Sequence, residues 1–308
     1  MSEIKVFGHK SPDTDATMSA IVWAWFLNTH RNQTATAYVL GKPNTEALFV
    51  LDKWGHELPP VLESVSKGDD VTIVDTNNKD ELFENINDAH FISIIDHHKL
   101  TGGLETSSPR EIVIQPYAST MTVMYNIMNI EPESFPRDIA GLMLSGILSD
   151  TLEFRSPTTT PTDEDLASRL SKAIGVNMAE YASEMFDAKS DVSHFSEVEL
   201  VKLDSKIFDI KENKVRISVI ETTNPQIVFE RKEKIIEALE EVRKEDEVDH
   251  VMFFIVDILK EESTLLTNVD AIEEIVEKAF IDSKRENGNI VLPGVVSRKK
   301  QIIPGLSN

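Results

Sequence analysis

Short apolar runs alternate with helix-patterned segments through the first 115 residues of the chain, and that alternation leaves few architectures open. Ile4 to Gly8, Thr34 to Leu40, Val71 to Asp75, Phe91 to Asp96 and Ile112 to Gln115 read as strands. About Thr14 to Asn28, Glu46 to Gly55 and Asp80 to Asn85 read as helices between them. Strands joined through helices pair in parallel, and a parallel sheet has to be covered on both faces. The class expected is therefore α/β, with a mainly parallel sheet flanked by helices. From Ser119 to about Met185 the pattern turns mainly helical, broken at Arg155 to Thr162 where proline, threonine and serine concentrate.

A chain of 308 residues more often forms two domains than one. Near Asp187 to Ser193 the periodicity lapses into small and charged residues. This gives an N-terminal domain of residues 1–187, a linker of residues 188–193 and a C-terminal domain of residues 194–308. In the second domain, Lys206 to Ile210 and Lys214 to Glu221 read as a hairpin around Lys211-Glu212-Asn213. A charged helix from about Pro225 to Glu245, strands around Asp249 to Lys260 and Thr264 to Val269, and a helix from Ala271 to Phe280 complete a smaller, mixed α/β domain.

Several function classes fall away on composition. The longest nearly unbroken apolar run, Ala20 to Leu27, is far shorter than the roughly 20 residues that cross a bilayer. Glu3 and Lys5 lead directly into a strand pattern, without the features of a signal peptide. Cysteine is absent, which excludes disulfides, thiolate metal sites and a cysteine nucleophile. A cytoplasmic protein is expected, with no membrane partner. The net charge of −22 argues against a nucleic-acid partner, because duplex affinity depends on many cations neutralising phosphates. A small anion is still admissible, since salt screens charge beyond about 8 Å and a local cationic cluster can oppose the global sign.

Four segments concentrate carboxylates and imidazoles. Gly8-His9-Lys10-Ser11-Pro12-Asp13-Thr14-Asp15 follows the first strand. One imidazole and two carboxylates within a turn suit a divalent cation of intermediate hardness, although Asp13 also reads as a helix cap. Val74-Asp75 and Ile95-Asp96-His97-His98-Lys99 each end a strand, and ligands of open α/β sheets gather at the carboxyl ends of strands. Leu148-Ser149-Asp150-Thr151 follows an apolar helix, where Asp150 alone would read as a cap or turn residue.

Gly8 to Asp15, Asp96-His97-His98, Ser145-Gly146-Ile147-Leu148-Ser149-Asp150-Thr151 and the C-terminal Ser297-Arg298-Lys299-Lys300-Gln301 together resemble the manganese-dependent family II inorganic pyrophosphatases of the DHH phosphoesterase superfamily. The resemblance runs the length of the chain in order. It implies a DHH-type metal-binding catalytic domain followed by a substrate-binding domain, with the active site in the cleft between them. His9, Asp13 and Asp75 are then expected to bind one Mn2+, and Asp15, Asp75, His97 and Asp150 the other. Asp96 would support these ligands, His98 would face substrate, and Lys206, Arg298 and Lys299 would hold the pyrophosphate oxygens. Co2+ is expected to replace Mn2+, a further Mg2+ or Mn2+ to arrive with substrate, and a homodimer to form through the N-terminal domain. The implied reaction is hydrolysis of pyrophosphate to two phosphates by a hydroxide bridging the two metals.

The charges suit that expectation. Asp13, Asp15, Asp75 and Asp150 match two divalent cations, so a polyanion needs further positive groups. Arginine supplies a planar fork and lysine a compact charge. Arg298-Lys299-Lys300 also reads as a basic surface tail, but it lies between Pro293-Gly294 and Pro304-Gly305, which favours a shaped loop. The competing enzyme is a DHH-type phosphodiesterase acting on short oligonucleotides or cyclic dinucleotides. Such relatives usually carry a glycine-rich, histidine-containing motif in the second domain, and no such cluster occurs here. A catalytically silent metal-binding protein is the third reading.

Overall fold

The computed structural model describes residues 3–193, 195–210, 213–267 and 269–307, with the side chains of Lys299 and Lys300 outside the description. The chain divides into two compact units, Met1–Ala188 and Lys189–Asn308.

The first unit is built on β1 (Ile4–Phe7), β2 (Ala35–Ala37), β3 (Asp70–Val74), β4 (His90–Asp96) and β5 (Glu111–Ile114). They form one parallel sheet in the order β2-β1-β3-β4-β5. Phe7, Val71, Ile73, Phe91 and Ile94 share one buried cluster with Leu82 and Ile86. The helices are α1 (Thr14–His30), α2 (Thr45–Trp54), α3 (Thr120–Met128), α4 (Arg137–Thr151), α5 (Pro161–Ile174) and α6 (Met178–Lys189). Nearly every residue of α1 up to Leu27 is buried, as expected of a helix without a polar face. The strand order reverses its direction of growth between β1 and β3, and a crevice at the carboxyl ends of such strands is where α/β sheets bind ligands.

The helix expected from Asp80 to Asn85 does not form. Short 3₁₀ turns, Lys79–Glu81 and Ile86–Asp88, stand there instead. Six residues give too few intrahelical bonds to offset nucleation, and Leu82 leaves the turn in extended backbone to bury its side chain. The strand expected from Thr34 to Leu40 shortens to Ala35–Ala37, with Val39 making an isolated bridge to Val61.

The second unit contains α7 (Glu197–Leu203), β6 (Ser205–Ile210), β7 (Asn213–Thr222), α8 (Gln226–Phe229), α9 (Lys232–Glu245), β8 (His250–Asp257), β9 (Glu262–Leu266), α10 (Asp270–Ala279), β10 (Lys284–Glu286), β11 (Asn289–Pro293) and α11 (Ile303–Ser307). Its sheet runs β10-β11-β9-β8-β7-β6; only β7 and β8 pair in parallel. Residues of β8 alternate between two cores. Phe253 and Ile255 pack with Ile235, Leu239 and Val242 of α9, while Met252, Phe254 and Val256 join Ile272, Val276 and Leu306. β6 and β7 pair antiparallel as the hairpin reading requires, though Lys211 and Glu212 of its turn lie outside the described residues. The single helix expected from Pro225 to Glu245 is split at Arg231, whose guanidinium turns to donate to the carbonyls of Val192 (2.8 Å) and Phe195 (2.6 Å).

Candidate metal centre

The end of each central strand delivers one part of the site. After β1 the chain turns through His9 to Asp13, which caps α1 by accepting from the Ala16 amide at 3.0 Å. The cap and the ligand readings of Asp13 are therefore compatible, because one carboxylate oxygen serves the helix and the other lies 3.7 Å from His9 Nε2. Asp15 sits fully buried in the first turn of α1. Asp75 directly follows β3 in left-handed backbone (φ 58°), a conformation aspartate tolerates better than most residues. Asp96 is the last residue of β4, with His97 and His98 immediately beyond, and Asp150 lies in the last turn of α4.

These side chains converge. Ligand atoms of His9, Asp13 and Asp75 lie within 4.8 Å of one another, as do those of Asp15, Asp75, His97 and Asp150. Asp75 belongs to both groups, and to a third with His97 and His98. Its Oδ2 is 3.5 Å from His9 Nε2 and its Oδ1 is 3.3 Å from His97 Nε2, while His97 Nε2 is 3.4 Å from Asp150 Oδ2. Two donors each about 2.0–2.2 Å from a common cation are separated by roughly 3 Å, so the side chains stand close to chelating distance.

The imidazoles are turned for the task. His9 Nδ1–H donates to the Lys10 carbonyl at 2.8 Å and His97 Nδ1–H to the Tyr117 carbonyl at 3.1 Å, which leaves both Nε2 atoms facing the carboxylates. Ligating histidines are held in this way in metal proteins. His98 differs: its Nδ1 donates to Asp96 Oδ1 at 2.9 Å, and its ring is half exposed. With Nδ1 committed, Nε2 remains for a ligand from solvent.

Without a cation the cage is under electrostatic stress. Burial and the charge of Asp75 push the Asp15 carboxyl up to about 7. Burial and the charge of Asp15 likewise hold Asp150 well above the usual carboxylate range. Burial alone would lower His9 and His97. The carboxylates of Asp13 and Asp75 outweigh it and raise His9 to about 11; Asp75 and Asp15 do the same for His97, to about 9. Burial would raise Asp75, but His9 and His97 hold it below the usual range. Asp96 is also held low, because hydrogen bonds from His98 and Asn77 outweigh its burial. Acids pushed up and bases pushed up in one pocket describe a site short of positive charge, and an oxygen- and nitrogen-rich donor set fits a divalent cation of intermediate hardness.

Four supporting residues carry no motif in the sequence. Ser119 Oγ and the Thr120 amide donate to the two oxygens of Asp15 at 2.8 and 2.7 Å, and Thr120 Oγ1 donates to Asp75 Oδ1 at 2.9 Å. Buried Asn77 donates to Asp96 Oδ2 at 2.6 Å and to the Lys99 carbonyl at 3.1 Å, fixing the histidine loop. Glu46 receives hydroxyls from Thr14 and Ser149, each at 2.6 Å.

In the second unit, Lys206 is exposed on β6. Arg298 opens a π-helical turn and is only 10% exposed. Its Nη1 donates to the Asp204 carbonyl and its Nη2 pairs with Asp204 Oδ1, both at 2.7 Å. The Lys299 side chain, the third cation expected at substrate, lies outside the described residues.

Residues 3–147 match the DHH family, N-terminal domain, and residues 183–308 the DHHA2 domain. A manganese-dependent inorganic pyrophosphatase of Methanocaldococcus jannaschii is 39% identical over 310 residues, covering 98% of this chain and 97% of its own. A probable manganese-dependent inorganic pyrophosphatase of Lactobacillus gasseri is 36% identical over 310 residues, covering 100% and 99%. The crystal structure of a candidate family II inorganic pyrophosphatase from Methanococcus jannaschii superposes with a TM-score of 0.63 at 37% identity, covering 99% of this chain and 98% of that one.

Proposed function

The chain belongs to the manganese-dependent inorganic pyrophosphatase family, and on that premise we propose that it hydrolyses pyrophosphate to two phosphates with two Mn2+ held in its first unit. His9, Asp13 and Asp75 hold one ion, and Asp15, Asp75, His97 and Asp150 hold the other. The observation that carries this is the pair of ligand groups meeting at Asp75. When bound, the two cations supply Lewis acidity and a water acidic enough to act as nucleophile near neutral pH.

The chain's own residues do the rest. Asp96 accepts the Nδ1 proton of His98 and raises the pKa of that imidazole, which favours its protonated form, and leaves Nε2 to face a phosphate oxygen. Lys206, Arg298 and Lys299 ligate the remaining pyrophosphate oxygens, the guanidinium by its fork and the lysines as point charges. Co2+ can replace Mn2+, and a further Mg2+ or Mn2+ accompanies the substrate. The protein works in the cytoplasm, in line with the absence of cysteine and of signal-peptide features, and as a homodimer formed through its N-terminal domain, as the family resemblance implies. A net charge of −22 weighs against nucleic acid, and among the described residues no helix is long and apolar enough to cross a membrane.

The deciding experiment measures phosphate release from pyrophosphate in Mn2+ beside cleavage of a short dinucleotide. Turnover of pyrophosphate is expected; cleavage of the dinucleotide alone would reject the assignment.

A further inference from the structure

Glu46 is a fully buried carboxylate in the first turn of α2, and no motif singles it out. Its Oε2 accepts from both Thr14 Oγ1 and Ser149 Oγ, and both donors are themselves buried. Thr14 stands between Asp13 and Asp15 at the start of α1; Ser149 immediately precedes Asp150 near the end of α4. Three of the proposed metal ligands are thus one residue away from a hydroxyl that Glu46 holds. Two hydroxyls could bond to each other or to a neutral amide at a smaller desolvation cost than an ionised carboxylate carries. A charge-assisted acceptor is shorter and stronger, and it fixes both donors against a single oxygen.

We infer that Glu46 is a positioning residue for the metal cage: its carboxylate ties Thr14 to Ser149 and so sets Asp13 and Asp15 on α1 against Asp150 on α4. The inference rests on the reading of these residues as metal ligands. Glu46 acts through Thr14 and Ser149, the residues beside the ligands, so its loss should weaken metal binding by less than the about 10–100-fold typical of a group bonded directly to a ligand.

The test is Mn2+ titration of the metal-free protein, with its thermal melting, for the wild type, Glu46→Gln, Ser149→Ala and the double variant. Glutamine keeps the shape and one acceptor, so the metal-free melting temperature should stay near wild type while the Mn2+ dissociation constant rises several-fold, up to about 10-fold. Ser149→Ala should weaken Mn2+ by a smaller factor, and the double variant should bind scarcely worse than Glu46→Gln, because both changes cut one tie. Wild-type Mn2+ affinity in Glu46→Gln would overturn the inference, as would equal losses of melting temperature with and without Mn2+. If Glu46→Gln does not fold, Ser149→Ala decides: a weaker site with unchanged metal-free melting supports the tie, and unchanged affinity rejects it. Failure of the wild type to bind Mn2+ would instead reject the metal-centre reading.

Discussion

Metal loading should expel protons from the cage, and the number can be worked from the site. At neutral pH the metal-free imidazoles of His9 and His97, raised to about 11 and about 9, each hold a proton on the nitrogens that face Asp75. Burial also raises Asp15, to about 7, and Asp150 well above the usual range, which favours the protonated form of each. A ligand must be deprotonated to bind, so filling both positions releases at least two protons. The sign follows directly: protons compete with the cations, and affinity rises with pH. Between pH 6.5 and 8 both histidines start protonated, and the overall constant for filling the cage should climb by roughly a hundredfold per pH unit, more steeply at the acid end where Asp15 joins. Isothermal titration of metal-free protein with Mn2+ in two buffers of different protonation enthalpy counts the protons, and repeating it across this range gives the slope. Release of less than one proton, or an affinity flat between pH 6.5 and 8, would refute the reasoning, because the imidazoles would then already be neutral in the empty cage.

Three further outcomes are expected. In Gly141→Ala the new methyl group would overlap the indole ring of Trp54, so a change that normally favours a helix should lower stability by about 1–2 kcal/mol and melting by several degrees; scanning calorimetry of the metal-free protein checks it. Asp204→Asn removes the ion pair that orients one arm of the Arg298 fork and should raise KM for pyrophosphate several-fold while leaving Mn2+ affinity as it was, which steady-state kinetics and metal titration together decide. Lys299→Ala should raise KM and lower kcat with Mn2+ affinity nearly intact, and an equal loss of metal would contradict the role proposed for it.

What the sequence made legible has a common physical character. Asp75, Asp96, His97 and His98 stand directly after apolar strands, where a polar residue has no packing reason to be, and the parallel sheet brings strand ends to one rim. Position after a strand singled out Asp75 and His97, while the full set of six candidates came from the family resemblance; the sheet that gathers them followed from the strand pattern. Ser119, Thr120 and Asn77 could not be singled out, because a serine before a helix reads as its cap and an asparagine after a strand as a turn residue. Ser119 does cap α3, and its contact with Asp15 joins positions 104 residues apart. Glu46 reads as an ordinary acid in the first turn of a helix until its two donors are seen. β10 was illegible for the opposite reason: Lys284, Arg285 and Glu286 are all exposed, as befits an edge strand defended by charge, and they show no apolar alternation. The helix expected at Asp80 to Asn85 failed because six residues make too few α-helical bonds to offset nucleation, and the chain settles into two 3₁₀ turns.

The supporting groups also explain why the cage has to be completed from outside the chain. Asp15, Asp75 and Asp96 are satisfied by hydroxyls, a side-chain amide, backbone amides and imidazoles; among the described residues none of them has a lysine or arginine as an ion-pair partner. A buried arginine would have neutralised the carboxylates permanently and removed the reason for a cation to enter. Neutral donors orient the oxygens but leave their charge standing, so the proposed divalent ions would enter the cage by displacing protons. The arginine and lysines assigned to substrate lie instead in the second unit, in sequence segments that supply no metal ligand. Separating the two kinds of charge in the chain would let one region bind cations while the other carries the positive groups proposed for a polyanion, even though the protein as a whole carries −22.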